Sequence, residues 1–340
     1  MKQIPVREAV GMVLCHDITQ IIPRVIKGPA FKKGHIIQSE DIPILLEMGK
    51  EHIYVWETRE GRVHENEAAE RLARAAAGEG ITFSAPNEGK VTLTASRGGL
   101  LKINTPALIK INSIDQVIFS TRHTDQVVGE GKAVAGTRVI PLVIDEEKIR
   151  KAEEICQKAF PLIEVKPLKR IKVGLVTTGS EVYHGRIKDG FGPVVARKVE
   201  ALGSRVMRQI LVSDDVDMIV EAIKDLLGEG ADMIAVTGGM SVDPDDRTPA
   251  GVKAAGGRIV AYGAPTLPGS MFMLAYIGKT PVLGLPGCVM YSRTSIFDLV
   301  LPRLLAGEKV TRRDIVKLGH GGMCVDCQDC RFPDCSFGKN

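Results

Sequence analysis

The stretch KVGLVTTGSE, residues 172–181, decides the reading of the fold. Val173 to Val176 is an apolar run of strand length without polar alternation, and it passes through Thr177 and Thr178 into Gly179, Ser180 and Glu181. A strand apolar on both faces belongs inside a parallel sheet covered by helices. Outward from it, RVMRQILV (205–212), DMIAVTG (232–238), RIVAYG (258–263) and TPVLGLPG (280–287) read as further strands of the same kind. Amphipathic helices fall between them, as alternating elements of an α/β domain should. The clearest repeats Val216, Ile219, Val220, Ile223, Leu226 and Leu227 at helical spacing, with Ser213 or Asp214 as its cap. Pro193 sits near the start of the preceding helix, where a missing N–H costs nothing.

Upstream the texture is different. Ile42, Leu45, Leu46 and Met48 form a helical stripe behind Ser39, HIYVW (52–56) is a short strand, and 65–77 is rich in Ala, Glu and Arg and ends at Gly78. VTLTAS, LLKI, DQVIFST and RVIPLVI, between Lys90 and Ile144, are short β-rich runs separated by Gly and Asn turns. A connecting helix over 146–159 leads to PLIEVKPLKR (161–170), which reads as a linker. The expected organisation is a mixed α+β, β-rich domain over 1–165, an α/β domain with an αβα sandwich over 166–312, and a Cys-rich tail over 313–340.

Composition narrows the function classes. The 340 residues are 44% hydrophobic and 25% charged, which excludes a disordered chain. Forty-five basic residues face 41 acidic ones, and aromatics are 4%, so a nucleic-acid surface is not expected. No apolar run approaches the ~18 residues of a membrane span, and MKQIPVREAV lacks the apolar core of a signal peptide. A cytoplasmic protein follows as the expectation.

In an open parallel sheet, ligands bind at the carboxyl ends of the strands. Here those ends carry Thr178-Gly179-Ser180-Glu181, then Gly238-Gly239-Met240-Ser241 with Asp243, Asp245, Asp246 and Thr248, then Pro268-Gly269-Ser270 and Pro286-Gly287. Asp189 precedes the first long helix. Small residues let backbone N–H groups approach an anion and hydroxyls add donors, which suits a phosphate or a pterin. Carboxylates beside them suit Mg²⁺, which bridges to substrate phosphates. One such loop merely ends a strand, whereas several at successive strand ends point to a site. Gly278-Lys279-Thr280 is not a P-loop, because Met273 stands where its first glycine is required, and no G-x-G-x-x-G opens a helix.

TTGSE (177–181), TGGMSVDPDDRTPAG (237–251) and TPVLGLPG (280–287) together resemble the molybdopterin-binding domain of molybdenum-cofactor biosynthesis proteins, a family of adenylyltransferases, molybdenumtransferases and gephyrin-type fusions. The resemblance covers roughly residues 170–310, with weaker similarity in VREAVGMVL and FKKGHIIQSEDIPILLEMG. It implies a pterin dithiolene phosphate, or its adenylylated form, bound across these loops, with Mg²⁺ and molybdate or tungstate as the metal to be inserted. It further implies that Asp246 and Asp189 act around Mg²⁺ and phosphate, that Gly238, Gly239 and Ser241 cradle the phosphate, and that Thr178, Ser180 and Glu181 belong to the first loop. A homo-oligomer, and a molybdoenzyme or another pathway protein as partner, are also implied. Three features depart from the family: Ser241-Val242-Asp243-Pro244 replaces Ser-Val-Gly, Cys288-Val289-Met290 replaces Asn-Pro, and the C-terminal β-domain of molybdenumtransferases is not expected in the short stretch after the last helix. They set a carrier that delivers finished cofactor beside the metal-inserting enzyme as the second reading.

The end of the chain reads GGMCVDCQDCRFPDCSFGKN (321–340), so four of the seven cysteines, Cys324, Cys327, Cys330 and Cys335, fall close together. With few apolar side chains to bury, this segment is not expected to offset an ordering cost of about 1–2 kcal/mol per residue by packing alone. A four-thiolate Zn²⁺ site or an Fe–S cluster is the expectation, since a structural zinc supplies roughly 10–16 kcal/mol, with transient thiol binding of a soft metal and a disordered, oxidation-prone tail as the alternatives.

Overall fold

The computed structural model describes residues 2–22, 26–55, 61–240 and 246–339. These form two compact units, the first made of 1–96, 103–122 and 130–164, the second of 97–102, 123–129 and 165–340.

In the first unit, Lys2–Pro5 pairs antiparallel with His52–Val55 above a small core of Ile4, Val6, Leu14, Ile37, Leu45 and Ile53. The β-rich stretch contributes a four-stranded antiparallel sheet in the order Ile81–Phe83, Lys90–Ala95, Ala133–Val139, Val117–Thr121. Helices Glu65–Ala76 and Glu146–Lys158 pack together, and the Arg71 guanidinium grips the Glu153 carboxylate with two hydrogen bonds of 2.9 and 2.8 Å. The Glu153 carboxylate, with that of Glu146, raises the guanidinium's pKa further above its usual value.

One of the β-rich runs, LLKI, belongs largely with the second unit, where it meets a strand that the sequence reading did not mark. There Gln126–Val128 pairs antiparallel with Gly99–Ile103, Gln126 opposite Leu101. The segment expected as a linker contains a third strand of this small sheet, Ile163–Lys166. Its period of two is visible in retrospect: Ile163 and Val165 are buried while Glu164 and Lys166 are half-exposed.

The main sheet of the second unit has six strands: β1 (Lys172–Thr178), β2 (Arg205–Val212), β3 (Met233–Thr237), β4 (Arg258–Tyr262), β5 (Met273–Ile277) and β6 (Thr280–Leu285). Their order is β2-β1-β3-β6-β5-β4. The first four of that order run parallel, whereas β5 is antiparallel to both β6 and β4. The expected wholly parallel sheet is therefore corrected to a parallel-rich one. The sequence reading passed over Met273–Ile277, an apolar run joined to β6 by the two-residue turn Gly278-Lys279, in which Gly278 takes a φ of 60°. Alternating residues of β1 serve two cores. Val173 and Leu175 pack with helix α2 (Phe191–Glu200) and helix α6 (Ile296–Leu305), while Val176 packs with helix α3 (Val216–Gly228) and helix α4 (Thr248–Ala254). Short helices α1 (Ser180–Tyr183) and α5 (Cys288–Tyr291) follow β1 and β6, and α7 (Arg312–Lys317) precedes the tail. The cap of α3 is Asp215, which accepts from the Met218 N–H at 2.9 Å, not the Ser213 or Asp214 expected. Among the described residues, no helix is long and apolar enough to cross a membrane.

Gly174 lets α3 lie close on β1: a β-carbon there would stand 2.9 Å from both Leu226 Cβ and Ile234 Cδ1. Strand propensity alone would favour valine at this position. Overpacking outweighs that preference, at a typical cost of about 1–3 kcal/mol. Gly174→Val should therefore lower the urea midpoint of the full chain, and a raised midpoint would show that the contact is not limiting.

Candidate ligand-binding site

The chain runs from β1 outward to β2 and then crosses to β3 on the other side, so the crevice between the carboxyl ends of β1 and β3 is the switch point where such sheets bind ligands. The two strand ends are tied together. Thr237 and Thr177 hydroxyls are 3.1 Å apart and buried, and Gln209 of β2 donates to Thr177 Oγ1 at 2.9 Å and to Asp189 Oδ2 at 2.6 Å. Asp189 in turn accepts from the N–H groups of Phe191 (2.8 Å) and Gly192 (3.0 Å) at the start of α2. This network links three strand ends to one helix N-terminus.

Beyond it, Gly238 and Gly239 both take left-handed conformations, with φ of 86° and 54°. The space at Gly238 leaves no alternative, because a β-carbon would lie 2.3 Å from the Thr178 carbonyl oxygen. Thr248, fully buried, secures the turn by donating its hydroxyl to the Gly238 carbonyl at 2.9 Å, and its N–H to the Gly239 carbonyl at 3.3 Å. The Thr178 hydroxyl, buried beside these glycines, has no hydrogen-bond partner among the described residues. A buried hydroxyl without a described partner calls for an explanation, and a polar ligand reaching past the two glycines would supply one, although Thr178 itself does not line the adjoining cavity.

A cavity of about 490 Å³ opens from this cradle. Gly238, Gly239, Asp246, Pro268, Gly269, Ser270, Pro286 and Gly287, all singled out in the sequence, line it. Phe191, Met240, Leu267, Met271, Leu285, Cys288 and Tyr291 line it too, and sequence reasoning missed them. Their only signal was adjacency to the Gly and Pro loops. They make part of the lining apolar and aromatic, the usual lining for a flat heterocycle, and the volume is within the range of small-molecule pockets. Among the described lining residues, Asp246 is the only carboxylate and no Lys or Arg is present. Burial raises the pKa of the half-buried Cys288 thiol, which holds it in the neutral form.

The other predicted residues stand elsewhere. Ser180 donates its N–H to Asp214 at 2.9 Å, and its hydroxyl meets that of Ser213 at 2.8 Å, so the first loop turns toward β2 rather than into the cavity. Gly179, with φ of 142°, starts that turn, and Glu181 is exposed. Asp189 does not line the cavity; it anchors α2, whose Phe191 does. Ser241, Asp243 and Asp245 lie outside the described residues. The described lining thus contains one carboxylate, Asp246, and a Mg²⁺ ion needs one or two carboxylates together with substrate phosphates.

Of the tail cysteines, Cys327 and Cys330 are exposed, and Cys324 and Cys335 half-buried. Among the described residues, no three His, Cys, Asp or Glu side chains already converge on a metal position. The tail also has protein contacts that its composition did not disclose. Leu267 N–H donates to the Gly322 carbonyl and Cys324 N–H to the Leu267 carbonyl, both at 2.8 Å. Phe337 is buried, and Gln126 donates to the Pro333 carbonyl at 2.9 Å and to Asp334 at 2.7 Å. Docking of backbone onto the Leu267 loop thus contributes to ordering that the sequence reading left to a metal.

An open, parallel-rich sheet with a glycine cradle at its switch point defines a class of α/β ligand-binding domain. Residues 174–306, within the second unit, match the family described as "Probable molybdopterin binding domain". Residues 3–57 match a family described only as a domain of unknown function. The molybdopterin molybdenumtransferase of Staphylococcus aureus (strain COL) is 30% identical over 131 residues, which are 36% of this chain and 31% of that protein. A CinA-like protein of Syntrophus aciditrophicus (strain SB) is 39% identical over 87 residues, 26% of this chain and 20% of that protein. Among solved structures, the molybdopterin biosynthesis enzyme MoaB of Thermus thermophilus is 23% identical, with 41% of this chain and 98% of that chain covered and a TM-score of 0.34. The chain thus spans less than a third of the length of the molybdenumtransferase it matches.

Thr178→Val removes the unpaired hydroxyl while keeping the side chain's shape. The ligand-free variant should be more stable by about 1–3 kcal/mol, the cost of leaving such a group unsatisfied. It should also bind molybdopterin more weakly. Urea denaturation and a fluorescence titration with the pterin check both halves, and a less stable variant with unchanged affinity contradicts the assignment.

Proposed function

We propose that this chain binds molybdopterin or its adenylylated form as a substrate and takes part in molybdenum- or tungsten-cofactor assembly, with insertion of the metal as its reaction. The observation that carries this reading is the Thr178 hydroxyl, buried against the Gly238-Gly239 turn without a hydrogen-bond partner among the described residues, within the segment that matches the molybdopterin-binding family. In this reading the phosphate lies on the Gly238-Gly239 backbone, with the Thr178 hydroxyl as donor. The pterin rests on the wall of Phe191, Met240 and Tyr291. Asp246 would hold Mg²⁺ beside the phosphate, and the ion would supply positive charge there. The chain's own contribution is then positioning: Thr248 fixes the cradle and Asp189 fixes α2, so the reacting groups meet without further ordering.

Charge stabilisation of this kind is worth several kcal/mol, and each 1.36 kcal/mol changes a rate tenfold. Asp246→Asn should therefore reduce turnover of adenylylated pterin with molybdate by about 100-fold or more. Rates equal to wild type would sink the metal-insertion reading.

Docking of the tail on Leu267, a residue of the cavity wall, favours a second reading, a carrier that passes the finished cofactor to a molybdo- or tungstoenzyme. Under it, removal of residues 319–340 should abolish co-purification with the receiving enzyme while circular dichroism stays that of the full chain. Undiminished partner and cofactor binding by the shortened chain would exclude a delivery role for the tail.

A further inference from the structure

A second cavity, of about 660 Å³, adjoins the first and shares Leu267, Pro268 and Tyr291 with it. Arg293 and Thr294 line it from one side, and Cys324, Cys327 and Cys330 from the other. Cys335 is not part of this lining. The sequence had grouped all four cysteines as one ligand set, whereas the fold brings three of them to a common space.

That space is anchored at both ends. Backbone bonds to Leu267 fix Cys324, and Gly338 N–H donates to the Gly321 carbonyl at 2.8 Å where the tail closes on itself. Between them, residues 325–330 form neither helix nor strand, and the Arg293 guanidinium donates to the Gln328 carbonyl. Asp326 takes a left-handed φ of 46°, which turns the chain between Cys324 and Cys327. The Thr294 hydroxyl is 3.9 Å from Cys324 Sγ. Cys327 and Cys330 are exposed and sit in this irregular loop beside Cys324, and metal binding would require the loop to draw the three sulfurs together.

We propose that Cys324, Cys327 and Cys330 hold one thiophilic d¹⁰ cation, Zn²⁺ or a chemically similar ion, through three thiolates, with its fourth position open to this cavity. Thiolates select soft and borderline ions over Mg²⁺ or Ca²⁺. Closed four-ligand sites are structural, whereas three protein ligands leave a position for water or an exchangeable ligand. Here the open position faces the cavity that shares a wall with the candidate pterin site. As each S–metal bond forms, the thiol's proton leaves to solvent; no oxidation state changes. The site does not depend on the pterin reading, since every ligand is a residue of the tail.

The test uses the full chain, purified anaerobically, reduced and freed of metal, and titrated with Co²⁺ as a probe for Zn²⁺. One equivalent per chain should give thiolate-to-cobalt charge-transfer absorption, which added Zn²⁺ abolishes. A small exogenous thiol should shift the cobalt bands, because it enters the open position. Cys324→Ser, Cys327→Ser and Cys330→Ser should each lose saturable binding, and Cys335→Ser should keep it. An alkylation assay on the unmutated chain gives an independent reading: bound Zn²⁺ should protect three tail thiols and leave Cys335 reactive. The proposal is overturned by the absence of saturable cobalt binding, by cobalt bands that ignore the added thiol, or by loss of binding in Cys335→Ser. Protection of all four tail thiols, or of none, overturns it equally.

Discussion

Gly238 passes so close to the end of β1 that any β-carbon there would stand 2.3 Å from the Thr178 carbonyl oxygen, and the rest of the site depends on that approach. It brings the exits of two neighbouring parallel strands together and turns the chain through two left-handed glycines. It also seals the Thr178 hydroxyl away from water without giving it a partner among the described residues. A side chain at Gly238 would separate the strand ends and fill the cradle at once. Thr248 then fixes the turn from the far side, so the cradle is set before any ligand arrives.

Polar pairs hold the surrounding frame. Thr237, Thr177, Gln209 and Asp189 form a continuous line of hydrogen bonds from the sheet to the N-terminus of α2. On the other side, the Lys198 ammonium of α2 meets both Asp298 oxygens, at 2.6 and 2.8 Å, and the Arg293 carbonyl at 2.9 Å. Asp298 is also half of the capping box that starts α6. The loop between α5 and α6, which supplies a wall to the second cavity, is thereby tied to the helix that Asp189 anchors. Each of these groups satisfies another that burial would otherwise leave unpaired, which is why the loops hold their shape at the sheet edge.

Much of this was legible in the residues. Apolar runs marked β1, β3 and β6, and the helical repeat from Val216 to Leu227 marked α3, because burial on both faces or on one stripe leaves a periodic trace. The Gly and Pro loops that line the cavity were legible for a similar reason: close backbone approach restricts residue type. Direction was not legible. β5 carries the same buried texture as its neighbours, and nothing in an apolar run says whether it pairs parallel or antiparallel. Nor did Asp189 or Ser180 disclose that their polar atoms would be engaged by Gln209 and Asp214.

By itself, then, the sequence determined the class of sheet, the loops at its carboxyl edge and a cysteine-rich end, since each rests on local periodicity or on residue types that few conformations tolerate. Tertiary structure alone decided which of those residues meet. It turned the first loop toward β2, left Asp246 as the carboxylate of the cavity among the described residues, and added the aromatic wall. It also docked the tail on the Leu267 loop, bringing three cysteines, not four, to a space beside the candidate pterin cavity. Such meetings join residues far apart in the chain, and their partners are chosen by packing and by the pairing of buried polar groups, which no local pattern records.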